Sequence, residues 1–194
     1  MVGLAFFGFS LALVVRANLG LAPWDVFHQG VSNQIGWSLG SVIIATSFVV
    51  VLLWIPIRER LGFGTLANAV LVGVWVDVSL WLMPDAEHSL PVRLGLLIVG
   101  IVVNGLATGL YIGARFGSGP RDGLMTGLAK RGYSIRFVRT CIEAVVLATG
   151  FLLGGSVGVG TIAFAIGIGP IAHVAIPYFT EMTQSDTETT SHAA

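Results

Sequence analysis

Three ionisable residues, Asp77, Glu143 and His173, lie inside long apolar stretches of this chain. A charge at the centre of a hydrocarbon layer costs about 2.5–3.5 kcal/mol on the insertion scale, so such residues usually face a protein interior, pair with one another, or mark a proton or ion pathway. Asp77 and His173 are 96 residues apart (173 − 77), a spacing that returns below as a repeat. Together they could form a proton relay or bind a cationic group. Glu143 follows Arg139 by one helical turn on the same face, where the two can pair. Its apolar neighbours, among them Phe137, Val138, Ile142 and Val145, each return about 0.3–0.6 kcal/mol on insertion. A structural role for Glu143 is therefore as open as a functional one.

A second set of carboxylates belongs to a repeated string. Gly20-Leu-Ala-Pro23-Trp-Asp25 returns 97 residues later (117 − 20) as Gly117-Ser-Gly-Pro120-Arg-Asp122, and a further glycine follows each copy, Gly30 and Gly127. Proline is favoured at the first helical position, where its missing N–H costs nothing. An aspartate in the first turn complements the positive end of the helix dipole. The strings therefore predict short helices over 23–35 and 120–131. These carboxylates disfavour an anionic ligand and suit a cation, a proton or a neutral solute; serving only as helix-start stabilisers is the plainer alternative. Asp25 and His28 could share a face but make only two ligands, so no metal site is expected. Asn68 and Asn104 read as hydrogen-bond partners between helices.

The elements that carry these residues are apolar. Charged residues are 10% of the chain and hydrophobic ones 55%, against about 25% charged in a soluble domain. A helix needs about 20 apolar residues to cross the bilayer core, and spans are expected near 2–18, 40–57, 64–83, 93–114, 136–154 and 159–180. The first has no basic segment ahead of it, which argues against a cleaved signal peptide. A single membrane domain over 1–182 is expected, then a polar tail, 183–194, that reads as disordered and cytoplasmic. The formal net charge is zero, so no nucleic-acid partner is implied.

The repeat continues at an offset of 96: Ser38, Gly62, Gly64, Thr65 and Gly73 match Ser134, Gly158, Gly160, Thr161 and Gly169. The units run from about 1 to 84 and from 93 to 180. Three spans per unit turn the second copy upside down, as in many secondary transporters. The predicted fold is thus an all-α polytopic membrane protein with six transmembrane helices in two inverted three-helix repeats, each with a short interfacial or re-entrant helix after its first span. In that topology Arg16 and Arg93 fall on one side, and Arg58, Arg60, Arg115, Arg121, Lys130, Arg131, Arg136 and Arg139 on the other. Both termini are then cytoplasmic. Trp54 and Trp81 suit aromatic belts. For the short helices, the polar character of Asp25, His28, Gln29, Asn33 and Gln34 tips the expectation toward lying flat, with Trp24, Phe27, Val31 and Ile35 toward lipid.

Gly105, Gly109 and Gly113 recur every fourth residue, and Gly8 and Ala12 echo the first two of them. Small residues at this spacing permit close packing, here of the first span against the fourth, or of two copies in a homodimer. Pro170 and Pro177 mark the last span for kinking.

The two strings, with the glycine-rich start Gly158-Val-Gly-Thr-Ile-Ala163 of the last span, resemble the YczE/YitT group of bacterial membrane proteins. The likeness runs from the first span to about Phe179. It implies a multi-pass protein of the bacterial inner membrane and assigns no catalytic residue.

No nucleophile elbow, zinc-protease motif, P-loop or dinucleotide fingerprint is present, so neither an enzyme nor a cofactor is expected. Two functions fit. One is a small secondary transporter or permease for a neutral or cationic solute, coupled to a proton or another cation. The other is a non-transporting partner, either an assembly factor or the substrate-binding subunit of a larger membrane complex.

Overall fold

A computed structural model describes residues 1–83, 89–113 and 118–191. Gly117 and Arg115 lie outside the described residues, as does the end of the tail, 192–194. The described chain is all helical: α1 (Val2–Ala17), α2 (Pro23–Ile35), α3 (Leu39–Leu52), α4 (Trp54–Ile57), α5 (Phe63–Leu82), α6 (Leu90–Gly113), α7 (Pro120–Ala129), α8 (Ile135–Leu152) and α9 (Val159–Ser191). The tail expected to be disordered from 183 continues α9 as helix to Ser191.

Four helical segments are long and apolar enough to cross a membrane: Leu39–Ile57, Phe63–Leu82, Leu90–Gly113 and Val159–Thr180. The other two expected spans fall short for different reasons. α1 has 16 residues, ended by Asn18 in the left-handed conformation. α8 has 18, but it carries three charged residues, Arg136, Arg139 and Glu143.

α1 and α6 form the centre. α1 packs on α5 and α6, and α6 on α9; α3 lies on α5, α2 on α8, and α7 touches α3, α4 and α8. One apolar cluster joins α1, α2 and α6 through Val14, Ala17, Leu21, Val26, Leu97 and Ile101. Another joins α1, α3 and α5 through Leu4, Leu11, Ile43, Val72 and Val76. Large apolar side chains such as Leu152, Ile166 and Val174 point outward, as a lipid-facing surface requires.

Equivalent positions of the repeat make equivalent contacts. Gly8 lies against Trp75, where an added Cβ would stand 2.6 Å from the tryptophan Cβ, and Gly105 lies against Ile171. Gly30 meets Leu153 and Gly127 meets Ile57. The loop before α2 seats on the start of α9, where Gly160 N–H donates to Leu19 O at 2.7 Å and Leu21 N–H to Ser156 O at 3.1 Å. Gly20 needs its freedom here, with φ of 106° and no room for a Cβ against Gly158. The loop before α7 meets the start of α5 in the same way, Thr65 Oγ1 donating to Ser118 O at 2.8 Å.

The glycine stripe is used differently from the expectation. Gly105, Gly109 and Gly113 face Ile171, Ala175 and Phe179 of α9 rather than α1, because α6 and α9 run parallel and hold this register along their length. α1 and α6 do pack together, but through Gly3 and Gly100 and a buried bond from Asn104 Nδ2 to Ser10 Oγ at 2.8 Å. Ala12 is fully buried.

The placements expected for Trp54 and Trp24 need correction. Trp81 is exposed, but Trp54 is 1% exposed. Its indole fills the space left by Gly123, and its Nε1–H donates to Pro120 O at 3.0 Å. Trp24 is buried rather than turned to lipid. The cause is the same in each case: a short helix docks its first turn on the protein, and a large ring fills the gap.

Candidate functional site

The first turns of α2 and α7 converge. Pro23 opens α2 and Pro120 opens α7, each following a residue in extended conformation, Ala22 or Gly119. Neither N-cap residue has a side-chain cap bond. Asp25 is 4% exposed and His28, one turn on, 1%. The His28 Nδ1 lies 3.4 Å from Asp25 Oδ1. From α7, the Arg121 Nη2 comes within 3.6 Å of the same carboxylate oxygen and 3.5 Å of His28 Nδ1. Its guanidinium carbon sits 5.1 Å from the centre of the Trp24 ring. A buried carboxylate needs such a partner, because the desolvation of an unpaired charge costs several kcal/mol. The cation over the indole face adds about 0.5–2 kcal/mol.

α2 is too short to span the bilayer, and its histidine is held neutral. Burial pushes the His28 pKa down to about 4, the hydrogen bond it donates to Asp25 opposing this and the Arg121 charge adding to it.

Around this junction lies a cavity of about 280 Å³, lined from α1, α2, α3, α5, α6, α7, α8 and α9. Its polar wall holds Asp25, Arg121, Asp122, Tyr111, Asn68, Asn104, Arg139 and Glu143. Tyr111 donates its hydroxyl to Asp122 Oδ2 at 2.5 Å. Arg139 Nε donates to Glu143 Oε1 at 2.9 Å, the pairing expected one turn apart. Counting Asp25, Asp122 and Glu143 against Arg121 and Arg139, the lining carries one net negative charge. Two of the carboxylates have an arginine partner; among the described residues Asp122 has only the neutral tyrosine.

The sequence-predicted candidates divide sharply. Asp25, Asp122, Asn68, Asn104 and Glu143 line the cavity, with His28 packed behind Asp25. Asp77 and His173, expected to share a cavity, do not. Asp77 caps α3, accepting from Ser38 Oγ at 2.5 Å and from Gly40 N–H at 2.7 Å. His173 is exposed on the outer face of α9. The difference arises because α3 packs on α5, whereas α8, its counterpart, forms no packed pair with α9. Among the described residues no third ligand joins Asp25 and His28 for a metal.

Sequence reasoning passed over Arg121, Tyr111 and Trp24. One signal was available: Trp24 and Arg121 hold the same place in the two copies of the string, and an aromatic ring facing a guanidinium is a complementary pair.

The chain is 37% identical over 174 residues to an uncharacterized protein of Haemophilus influenzae, covering 88% of this chain and 78% of that one. It is 33% identical over 181 residues to the uncharacterized membrane protein YczE of Bacillus subtilis, covering 90% and 82%. It is 28% identical over 182 residues to the uncharacterized protein YyaS of the same organism, covering 91% and 90%. No solved structure matches it. The profile of a family of unknown function, DUF6198, matches residues 1–177, and this multi-pass, all-helical membrane protein belongs to that family.

Proposed function

We propose that the protein is a small secondary transporter or permease for a neutral or cationic solute, built from two inverted repeats of three spans. The observation that carries this reading is the convergence of two helix starts, one from each repeat, on a cavity rimmed by Asp25, Arg121 and Asp122. Transporters of inverted-repeat construction commonly bind substrate where discontinuous helices meet near the bilayer midplane.

Six spans are supported by the helix ends. Arg16 Nη2 donates to Leu80 O and Arg93 Nε to Ala17 O, so both arginines mark one end of the bundle. Lys130, paired with Glu59 at 2.6 Å, and Arg131, bonded to Pro56 O, mark the other. The second end carries more basic residues and is the cytoplasmic one in this reading. α8 can cross because Arg139 and Glu143 neutralise each other. α1, at 16 residues, rises about 24 Å and crosses with local thinning of the bilayer. α2 and α7 are then half-helices, with first turns at the cavity and last turns at opposite faces. α2 ends where Gln34 Nε2 donates to Leu153 O, and α7 where Arg131 bonds Pro56 O.

Purified protein in liposomes should take up members of a panel of labelled small neutral and cationic solutes under an imposed proton or sodium gradient. Asp122→Asn should abolish the uptake. If no solute moves, and one partner protein is recovered repeatedly on purification, the protein is instead a non-transporting subunit.

A further inference from the structure

The two halves differ in one consequential place. In the first, α3 closes on α5: Gly40 and Gly73 leave no room for a Cβ between their backbones, and Asp77 ties down the start of α3. At an offset of 96, the corresponding residues of the second half are Arg136, Gly169 and His173. A bulky arginine replaces the contact glycine, and a basic residue replaces the capping carboxylate. α8 cannot close on α9 by the same contact. α8 packs on α2 and α7 instead, and a Cβ at the exposed Gly169 would meet nothing within 4 Å. The cavity therefore reaches the gap between α8 and α9, where its lining passes from Arg139 and Glu143 to the apolar Phe164, Ile168, Ala172 and Ile176.

One carboxylate of the lining lacks a charged partner. Asp122 has no cation among the described residues. A volume of about 280 Å³ lies at the lower edge of the 300–1,000 Å³ of small-molecule sites. It holds a head group and little more.

We propose that the site takes a single-chain amphiphile entering sideways from the bilayer between α8 and α9. Its head carries one positive charge for Asp122, as in a protonated amine. Its tail remains along the apolar wall of α9. This rests on the transporter reading and names its substrate class.

The test is equilibrium binding of labelled N-dodecylethanolamine and of ethanolamine to the protein in nanodiscs, with empty nanodiscs as blank. The long-chain amine should bind roughly tenfold tighter or more, since apolar burial and membrane partitioning act on the tail alone. Asp122→Asn should weaken it by about the same factor through loss of the charge pair. Gly169→Phe, which fills the gap without a clash, should also weaken it while leaving the melting temperature unchanged. Equal binding of ethanolamine, or indifference to Gly169→Phe in a folded protein, overturns the lateral amphiphile and leaves the transporter reading intact. Absence of Asp122-dependent binding of either amine also overturns it. The transporter reading then stands or falls separately, on solute uptake in liposomes.

Discussion

Trp24 and Arg121, the residues that follow the two motif prolines, stack on each other, with the guanidinium carbon 5.1 Å from the indole centre. They are counterparts in the repeat, 97 residues apart (121 − 24). Two copies related by a two-fold axis bring a residue against its own counterpart only near that axis. In the inverted-repeat reading proposed above, the stack marks where the halves meet, and the ring-and-cation choice makes the meeting attractive.

The Arg121–Asp25 pair should behave as a buried ion pair. Arg121→Gln leaves Asp25 buried without its counter-charge and is expected to cost about 3–5 kcal/mol. Asp25→Asn with Arg121→Gln should recover a large part of that loss. A double-mutant cycle read by chemical unfolding in detergent checks it; additive losses would argue against the pair.

Gly123 is set by Trp54. A Cβ at Gly123 would overlap the indole ring, so Gly123→Ala is expected to cost about 1–3 kcal/mol by overpacking. Adding Trp54→Phe removes the overlapping atoms and should restore part of the loss, although it gives up the bond to Pro120 O. Thermal unfolding of the single and double variants decides this.

His28 should make stability depend on acid. Its folded pKa, about 4, lies below the ordinary histidine value of 6.5. The unfolded chain therefore binds the proton more readily, and stability, full above pH 6.5, falls as pH drops toward 4. The loss amounts to about 3 kcal/mol for this group. A His28→Gln variant should show a flatter decline in melting temperature across that window; an identical decline would contradict the assignment.

Asp77 and His173 should part company despite their matching positions. Asp77→Asn weakens two bonds at the start of α3 and is expected to cost about 1–3 kcal/mol. His173→Ala, on an exposed face, should stay within about 0.5 kcal/mol. Melting temperatures of the two variants compare them directly.

The all-helical membrane character was legible in composition, and some helix contacts were legible because glycines at the repeat offset make matching contacts. Gly8 against Trp75 and Gly105 against Ile171 are one contact made twice. The repeat also swaps sizes: Val26 faces Gly150 in one half, while its counterpart Gly123 faces Trp54 in the other. Trp54 looked like a belt residue because hydropathy reports what a segment is made of and not what its side chains fill. Asp77 looked like a pathway residue because its depth in an apolar span could be counted. Its hydrogen bonds depend on α3 lying against α5, a tertiary contact that α8 and α9 do not repeat. Two helix starts meeting end to end leave no periodic trace, so the junction at Arg121 was hidden although every residue in it was in view.

The central claim is that α2 and α7 enter the protein from opposite faces and meet at the cavity. Single cysteines placed in a Cys141→Ser background and probed with impermeant thiol reagents from each side test it most directly. Gln34→Cys, at the exposed end of α2, should label from one side only, and Lys130→Cys, just beyond α7, from the other. Val26→Cys and Met125→Cys, at buried positions on the same helices, should resist labelling from both. Labelling of Gln34→Cys and Lys130→Cys from the same side, or ready labelling of Val26→Cys and Met125→Cys, would contradict the account.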